Sequence, residues 1–328
     1  MLARVIVLNW NGKQWLTPCL TALLGQGLPD VEVVLVDNGS TDGSAELVQA
    51  RYPTVSVRAL GRNIGFAAGN NAGALGAEAR YLVFLNNDTR VQPGWLQALV
   101  AAAEADATVG LATSKIVYAD GSGLVDSAGD GYLRCGGAFK IWHGQPAATA
   151  PMGGDVFGAC GAAFLIRRDL FEALGGFDED FFVVYEDVDL SFRAQLLGAR
   201  CRYVPDAVVE HAVTATLGRV SETVVFHGQR NLEWAWIKNM PASLWWRSLL
   251  PHVAYDLAGA AAYARRGQLG VWLRGKAAAL KGLPRMWRKR RHIQRTASTS
   301  VSRLWALMEP DWIGIKRREK RFDFTSGS

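Results

Sequence analysis

Closely spaced cysteines are missing from this sequence. Cys19, Cys135, Cys160 and Cys201 are scattered over 328 residues, and no two stand at CxxC spacing. That excludes a zinc ribbon, a dithiol redox motif and a disulfide-built scaffold, and a reduced cytosolic compartment fits. Long apolar runs are missing too. No stretch reaches the roughly 18 uncharged apolar residues of a membrane span; the nearest, 244–264, is broken by Arg247, Pro251, His252 and Asp256. The opening MLARVIVLNWNG lacks the apolar core of a signal peptide and reads as a first strand. Acid is scarce in one place: 261–328 holds 17 basic and 4 acidic residues, against 19 and 26 in the remainder. Such asymmetry suggests a globular body with an appendage for an anionic partner, a membrane surface or nucleic acid. Neither an internal repeat nor a low-complexity segment is present.

What is there suffices for a sizeable core, since 49% of the residues are hydrophobic and 20% charged. Short β-branched runs at 4–8, 31–36, 55–60 and 81–85 alternate with helical patterns at 14–24, 66–79 and 93–105. Continuous apolar strands separated by helices predict a parallel sheet covered on both faces. Ligands of such sheets lie outside the carboxyl ends of the strands, which turns attention to 9–12, 37–42, 62–65 and 86–88. The Gly- and Ala-rich stretch 118–154 reads as mobile loops and irregular strands, a candidate lid or acceptor region. A strand at 158–166 and a short helix at 168–174, closed by Gly175-Gly176, come next. Glu186-Asp187-Val188-Asp189 then opens a helix to Gly198, and one or two last strands fill 201–211. After about Thr216 the character changes. Trp234, Trp236, Trp245 and Trp246 cluster; Leu273, Ala277, Leu280 and Trp287 recur at helical spacing among Arg274, Lys276, Lys281, Arg285 and Arg288–Arg291.

Several short patterns could carry chemistry. Asn86-Asn87-Asp88 follows a strand, where a carboxylate beside amide oxygens can hold Mg²⁺ or Mn²⁺; a plain turn is the other reading. Asp37, in Val-Asp-Asn-Gly-Ser-Thr-Asp-Gly-Ser, could accept hydrogen bonds from a ribose or base, or could merely cap a helix. Arg62-Asn63-Ile64-Gly65 runs into a helix whose N-terminus favours negative charge. It is neither a Walker loop nor GxGxxG: Gly65, Gly69 and Gly73 are four apart, which also suits close helix packing. Among Glu186, Asp187 and Asp189, one carboxylate beside a cleft could act as a general base, or all three could serve the helix dipole. His211 follows a strand and could ligate a metal or be structural.

The order of these patterns is more specific than any one of them. VIVLNWNG, VDNGSTDGS, GRNIGFAAGNNAG, FLNNDTRVQPGWL, GACGAAFLIRR, GGFDEDFFVVYEDVDLSFRAQLLG and VVEH together resemble glycosyltransferase family 2, most of all its bacterial rhamnosyltransferase-type members, over about 1–240. The resemblance implies an α/β GT-A fold: a Rossmann-like, mostly parallel sheet that binds a nucleotide-diphospho-sugar, here with a C-terminal helical extension. It implies Mg²⁺ or Mn²⁺ as cofactor and inversion at the anomeric carbon. Asp37 matches the acid on the donor base or ribose, and Asn9, Arg62, Asn63 and Asn87 match other donor-side positions. Asp88 matches the metal-binding acid of a DxD motif whose first acid is Asn86 here. Asp187 matches the catalytic base, with Glu186 and Asp189 as acceptor-side or supporting acids, and His211 matches a histidine near the diphosphate and metal. Processive synthases of the family carry QxxRW and membrane spans. This chain has Gln229-Arg230-Asn231-Leu232-Glu233-Trp234 and none, which suits the addition of one sugar or a few.

The expected organisation is a catalytic domain over 1–240, with a donor half at 1–115 and an acceptor half at 116–240, and a basic, Trp-rich helical region at 241–328. Three readings of that tail are open: an amphipathic contact with an anionic membrane, a helical subdomain packed on the core, and nucleic-acid binding through Arg288–Arg291. The first is preferred, because no nucleic-acid fold signature accompanies the charge. The whole reads as an inverting transferase of bacterial surface-polysaccharide assembly, cytoplasmic and peripheral on the inner membrane face. A dTDP- or UDP-sugar such as dTDP-rhamnose is the expected donor, and a saccharide, free or on a polyprenyl diphosphate, the acceptor. The rivals are a sugar-nucleotide pyrophosphorylase and a sugar-nucleotide- or lipid-binding protein without turnover. Asn9-Trp10-Asn11-Gly12-Lys13 does not resemble the loop of the former, and Asp88 and Asp187 argue against the latter.

Overall fold

The computed structural model describes residues 1–213 and 221–325, with side chains through Glu319. The change of character near Thr216 and the last residues of the tail region lie outside the described residues.

Strands β1 (Ala3–Asn9), β2 (Val31–Asp37), β3 (Val55–Ala59) and β4 (Tyr81–Asn86) are parallel and stand in the order β4-β1-β2-β3. Helices α1 (Lys13–Leu24), α2 (Ser44–Arg51) and α3 (Phe66–Ala74) connect them. These strands read as continuous apolar runs because both faces are covered. Val5 and Val7 pack with Leu16 and Leu20 of α1, while Ile6 between them packs with Ala67 and Phe84 on the opposite face. The helix expected over 66–79 stops at Ala74. Leu75 turns extended and Gly76, at φ +72°, swings the chain into β4.

The second half extends the sheet. Its elements are β5 (Thr89–Val91), α4 (Trp95–Ala105), β6 (Val109–Tyr118), β7 (Val125–Ser127), β8 (Asp130–Tyr132), β9 (Ala138–Lys140), β10 (Gly154–Val156), β11 (Ala163–Arg167), α5 (Arg168–Ala173), α6 (Glu186–Leu196) and β12 (Arg200–His211). The full order is β10-β12-β6-β11-β4-β1-β2-β3, with β5 on β12 and β7 on β6. Strand β11 runs antiparallel between β4 and β6, and β12 runs parallel to β6. The last strand is one element with a register break between Val204 and Val208, not two. The expectation of mobile loops over 118–154 is corrected in part. Residues 125–133 are all buried, and β8 pairs with β9 as a separate hairpin. The segment is packed on all sides with small residues, so it shows no apolar alternation to read.

Among the described residues five helices follow: α7 (Glu222–Asn239), α8 (Ala242–Arg265), α9 (Leu269–Thr296), α10 (Val301–Leu307) and α11 (Trp312–Thr325). Helices α8 and α9 form an antiparallel hairpin, with Gly259 against Trp272 near its turn and Trp245 beside Trp287 at its far end. Trp234 of α7 donates to the Ala279 carbonyl and lies against Gly282, which fixes α7 to α9. The chain then returns to β8, where Glu309 N donates to the Tyr132 carbonyl. No described helix is long and apolar enough to cross a membrane.

Candidate active site

The carboxyl ends of β1, β2 and β4 bring three expected residues, Asn9, Asp37 and Asn87, together. Asn87 Nδ2 donates to Asn9 Oδ1 at 2.6 Å, and Asn9 Nδ2 reaches Ser40 Oγ at 3.1 Å and Asp37 Oδ1 at 3.4 Å. Asp37 also accepts from the Ser40 amide at 3.1 Å. Asn9, Asp37 and Asn87 are buried, so this chain of amides and carboxylate is preorganised. The next loop is different. Arg62 and Asn63 are exposed at its rim. Asn63 Oδ1 is spent within the loop, accepting from Asn38 Nδ2 and the Gly65 amide. The N-terminus of α3 is also taken: the Phe66 and Ala67 amides both donate to the Phe182 carbonyl. The reading of that helix start as open to an anion is therefore corrected. Gly65, at φ +90°, permits the contact, since a Cβ there would stand 2.5 Å from the Phe182 ring.

Asp88 follows β4 and faces His211 at the end of β12, with Oδ1 and Nε2 3.3 Å apart. On its other side His211 Nδ1 lies 3.1 Å from Asp126 Oδ2 of β7. Asp126 is fully buried and accepts from Lys140 Nζ of β9 at 2.7 and 2.8 Å. Burial works against a charged His211, but the two carboxylates outweigh it and hold its pKa up at about 9. Burial likewise opposes ionised Asp126, and Lys140 and His211 reverse that, holding it far below the usual carboxylate range. The donor set suits a hard divalent cation. Asp88 Oδ1 and His211 Nε2 would serve as ligands once a cation displaces the imidazole proton, and two ligands of one octahedral ion with bonds of about 2.1 Å stand roughly 3 Å apart. Asp126 at Nδ1 leaves Nε2 as the ligating nitrogen, the usual orientation of metal-bound histidine.

Asp187 is the second residue of α6. Its Oδ2 accepts from the Gly161 amide and its Oδ1 from the Val188 amide, each at 2.7 Å. A Cβ at Gly161 would lie 2.8 Å from Asp187 Oδ2, which is a physical reason for glycine in GACGAAF. Asp130 of β8, Cys160 and Asp187 bring one ligand atom each within 4.8 Å of one another. Burial pushes the Cys160 thiol up, and a protonated thiol is a poor partner for a hard cation. Burial raises Asp130 strongly, and neighbouring Asp187 raises it further. Burial raises Asp187 as well, but its two backbone donors and Lys140 favour the ionised form. Both acids are thus raised, Asp130 the more strongly, and Asp187, only half-buried, is the one with backbone donors to its ionised form. Glu186 is buried, raised by burial and by Asp187, and its Oε2 has no hydrogen-bond partner among the described residues. Asp189 does not face an acceptor. It is fully buried and bonded to Arg193, Lys238 and Asn239, so of its two expected roles only support of α6 remains.

The loop that delivers Glu186 and Asp187 holds three non-glycine residues at positive φ: Phe182 (63°), Val184 (68°) and Tyr185 (75°). Fully buried Asn231 of α7 holds it, its Nδ2 donating to the carbonyls of Phe181, Val183 and Val184 at 2.9, 3.0 and 2.6 Å. Sequence reasoning missed Asp126, Asp130, Lys140 and Asn231. The first two had a signal, as two acids bracketing Ser-Ala-Gly in an otherwise small and apolar run. A cavity of about 620 Å³ opens between the β8–β9 hairpin and α10–α11, and Lys140 is the only one of these charged groups to line it.

Residues 4–175 match the model of glycosyl transferase family 2. The chain belongs to that family. It is 32% identical over 211 residues to the N-acetylglucosaminyl-diphospho-decaprenol L-rhamnosyltransferase of Mycobacterium tuberculosis, an alignment that covers 58% of this chain and 69% of that one. Its fold is similar to that of S. aureus TarS solved with UDP, with TM-score 0.55 and 18% identity over 90% of this chain and 88% of TarS. It is also similar to the Pyrobaculum calidifontis mannosyltransferase PcManGT, solved with GDP-Man and Mn²⁺. There the TM-score is 0.53 and the identity 21%, over 90% of this chain and 85% of that one. The fold is thus GT-A with a C-terminal helical region, and the chain is a family 2 glycosyltransferase similar to rhamnosyltransferases.

Proposed function

We propose that this transferase moves a deoxyhexose, such as rhamnose, from a dTDP- or UDP-sugar to a saccharide carried on a polyprenyl diphosphate, with inversion at the anomeric carbon. The observation that carries this reading is the pair of separated charged centres, Asp187 with its backbone donors and the Asp88–His211–Asp126 relay. The 32% identity to an enzyme named for rhamnosyl transfer to such a lipid supports the substrate classes. Asn9, Asp37 and Asn87 contact the nucleoside part of the donor, with Arg62 and Asn63 at the rim. Asp88 and His211 would hold Mg²⁺ or Mn²⁺, which supplies positive charge for the diphosphate leaving group. Asp187 takes the proton of the acceptor hydroxyl as that oxygen attacks the anomeric carbon. Asp130 and Glu186, both raised by burial, lie beside Asp187. One base on the face opposite the diphosphate makes the transfer inverting, and positioning of the two reactants supplies much of the rate. In this reading 1–240 is the catalytic unit, with donor and acceptor halves meeting near 115. The basic helical unit 241–328 holds the enzyme on the inner face of the cytoplasmic membrane.

The test is Asp187→Asn. Turnover should fall about 10²- to 10⁴-fold, while stabilisation by dTDP or UDP with Mn²⁺ in a thermal melt stays as in the parent. Equal loss of nucleotide binding, or undiminished turnover, would remove Asp187 from the role of base.

A further inference from the structure

The C-terminal hairpin has an outer face that no described residue covers. On α8, Trp246, Leu250, Val253 and Leu257 are exposed, Leu250 by 81%. Their spacing of four, three and four places them on one side of the helix. Between 248 and 264 Asp256 is the sole Asp, Glu, Lys or Arg, and it is ion-paired with Lys276, while His252 is buried against Glu233. On α9, Leu273, Leu280 and Trp287 are exposed at every seventh position. At 100° per residue, Lys281, Arg285 and Arg288 fall about 80–140° from the centre of that stripe, all on one side. An apolar seam with cations along one flank is the pattern of a helix lying in a lipid interface. Soluble surfaces rarely group this many large apolar side chains. Among the described residues Arg265, Arg266, Lys281, Arg288, Arg291 and Arg295 make no ion pair. Trp245, Pro284, Trp287, Arg288 and Arg291 share one open groove.

We propose that this face of α8–α9 docks on an anionic lipid bilayer, with Trp246, Leu250, Leu257, Leu280 and Trp287 at the acyl boundary and the unpaired cations among the headgroups. The proposal rests on the membrane-peripheral reading above and names its surface. Charge complementarity selects the occupant. A second copy related by a two-fold axis would bring the same cations against one another, whereas an anionic surface neutralises them.

The experiment is flotation of the full chain with vesicles of phosphatidylcholine containing phosphatidylglycerol, and of phosphatidylcholine alone. The chain should bind the anionic vesicles, less so in high salt, with a blue shift of tryptophan emission. Removing a cation should weaken partitioning about fivefold, so the pair Arg288→Gln and Arg291→Gln lowers it roughly 25-fold. Leu250→Glu with Leu257→Glu should lower it by about tenfold or more. Stabilisation by UDP or dTDP with Mn²⁺ is measured on the same proteins and should not change, which separates failure of the surface from failure of the transferase reading. Absence of binding by the parent chain would overturn the proposal, as would variants that bind like the parent. A solution dimer that the leucine variants dissociate would reassign the face to self-association.

Discussion

At the scale of single residues, the site depends on which nitrogen of His211 faces Asp88. Asp126 occupies Nδ1 and Lys140 balances the charge of Asp126, so Nε2 is presented toward Asp88. Second contacts of this kind typically change metal affinity about 10- to 100-fold when removed. Asp126→Asn keeps the shape of the side chain and removes the charge that orients the imidazole. It should weaken Mn²⁺ binding by that factor, read from the free Mn²⁺ signal in electron paramagnetic resonance. Metal-free binding of UDP should be unchanged. Equal Mn²⁺ affinity in variant and parent would show that Asp126 serves only packing. Asp88 and His211 were legible in the sequence because each ends an apolar strand, where nucleotide folds place ligand contacts. Asp126 was not, because its partners come from 14 and 85 residues away in a segment without periodicity.

At the scale of elements, the catalytic helix is aimed by a loop that the backbone alone would not choose. Positive φ at Phe182, Val184 and Tyr185 is unfavourable by about 1–3 kcal/mol each and persists only where the surroundings fix it. Asn231 is that fixing group, together with Arg230, whose Nη2 donates to the Asp180 and Phe181 carbonyls at 3.0 and 2.9 Å. The stretch Gln229–Trp234 could be read from sequence only as a departure from QxxRW, since the carbonyls it serves lie some 50 residues earlier. By contrast, β1, β2 and β4 were plain as apolar β-branched runs, and the start of α6 as acids at a helix N-terminus. Asn231→Ala would strand buried carbonyls and should lower stability by about 3 kcal/mol. Amide hydrogen exchange over 181–188 should rise more than in the sheet, and kcat should fall as Asp187 loses its fixed position. An exchange pattern unchanged in that loop would mean that the Phe182 carbonyl contacts with α3 suffice to hold it.

At the scale of the whole molecule, net charge misleads about the tail. Counting gave a strongly basic appendage, yet part of that charge is turned inward as fastening. Lys289 of α9 pairs with Asp178 and Asp180 at 2.5 and 2.7 Å, beside fully buried Lys238 of α7, which pairs with Asp178 and Asp189 at 2.5 and 2.6 Å. Lys276 of α9 bridges Glu233 of α7 and Asp256 of α8, and His252 donates to Glu233 at 3.1 Å. The helical region is thereby tied both to itself and to the loop before α6, which composition could not reveal. Burial alone would raise Glu233, but His252 and Lys276 outweigh it and bring its pKa down to about 2. Asp178 is likewise held well below the carboxylate range by Lys238 and Lys289, against its burial. A carboxylate whose pKa is lowered on folding adds stability above its unfolded pKa, near 4.5, and loses it as pH falls through the folded value. For Glu233 that amounts to about 3 kcal/mol between pH 4.5 and 2, offset in part by Asp256, which burial and Glu233 push upward. Urea unfolding followed by tryptophan emission should therefore give a steep decline below pH 4.5, whereas between pH 7 and 5 the raised groups His211, Asp130 and Glu186 make stability rise as pH falls. Glu233→Gln should flatten part of that decline. A stability that stays level down to pH 3 would mean that these buried pairs do not hold the helical region to the catalytic core.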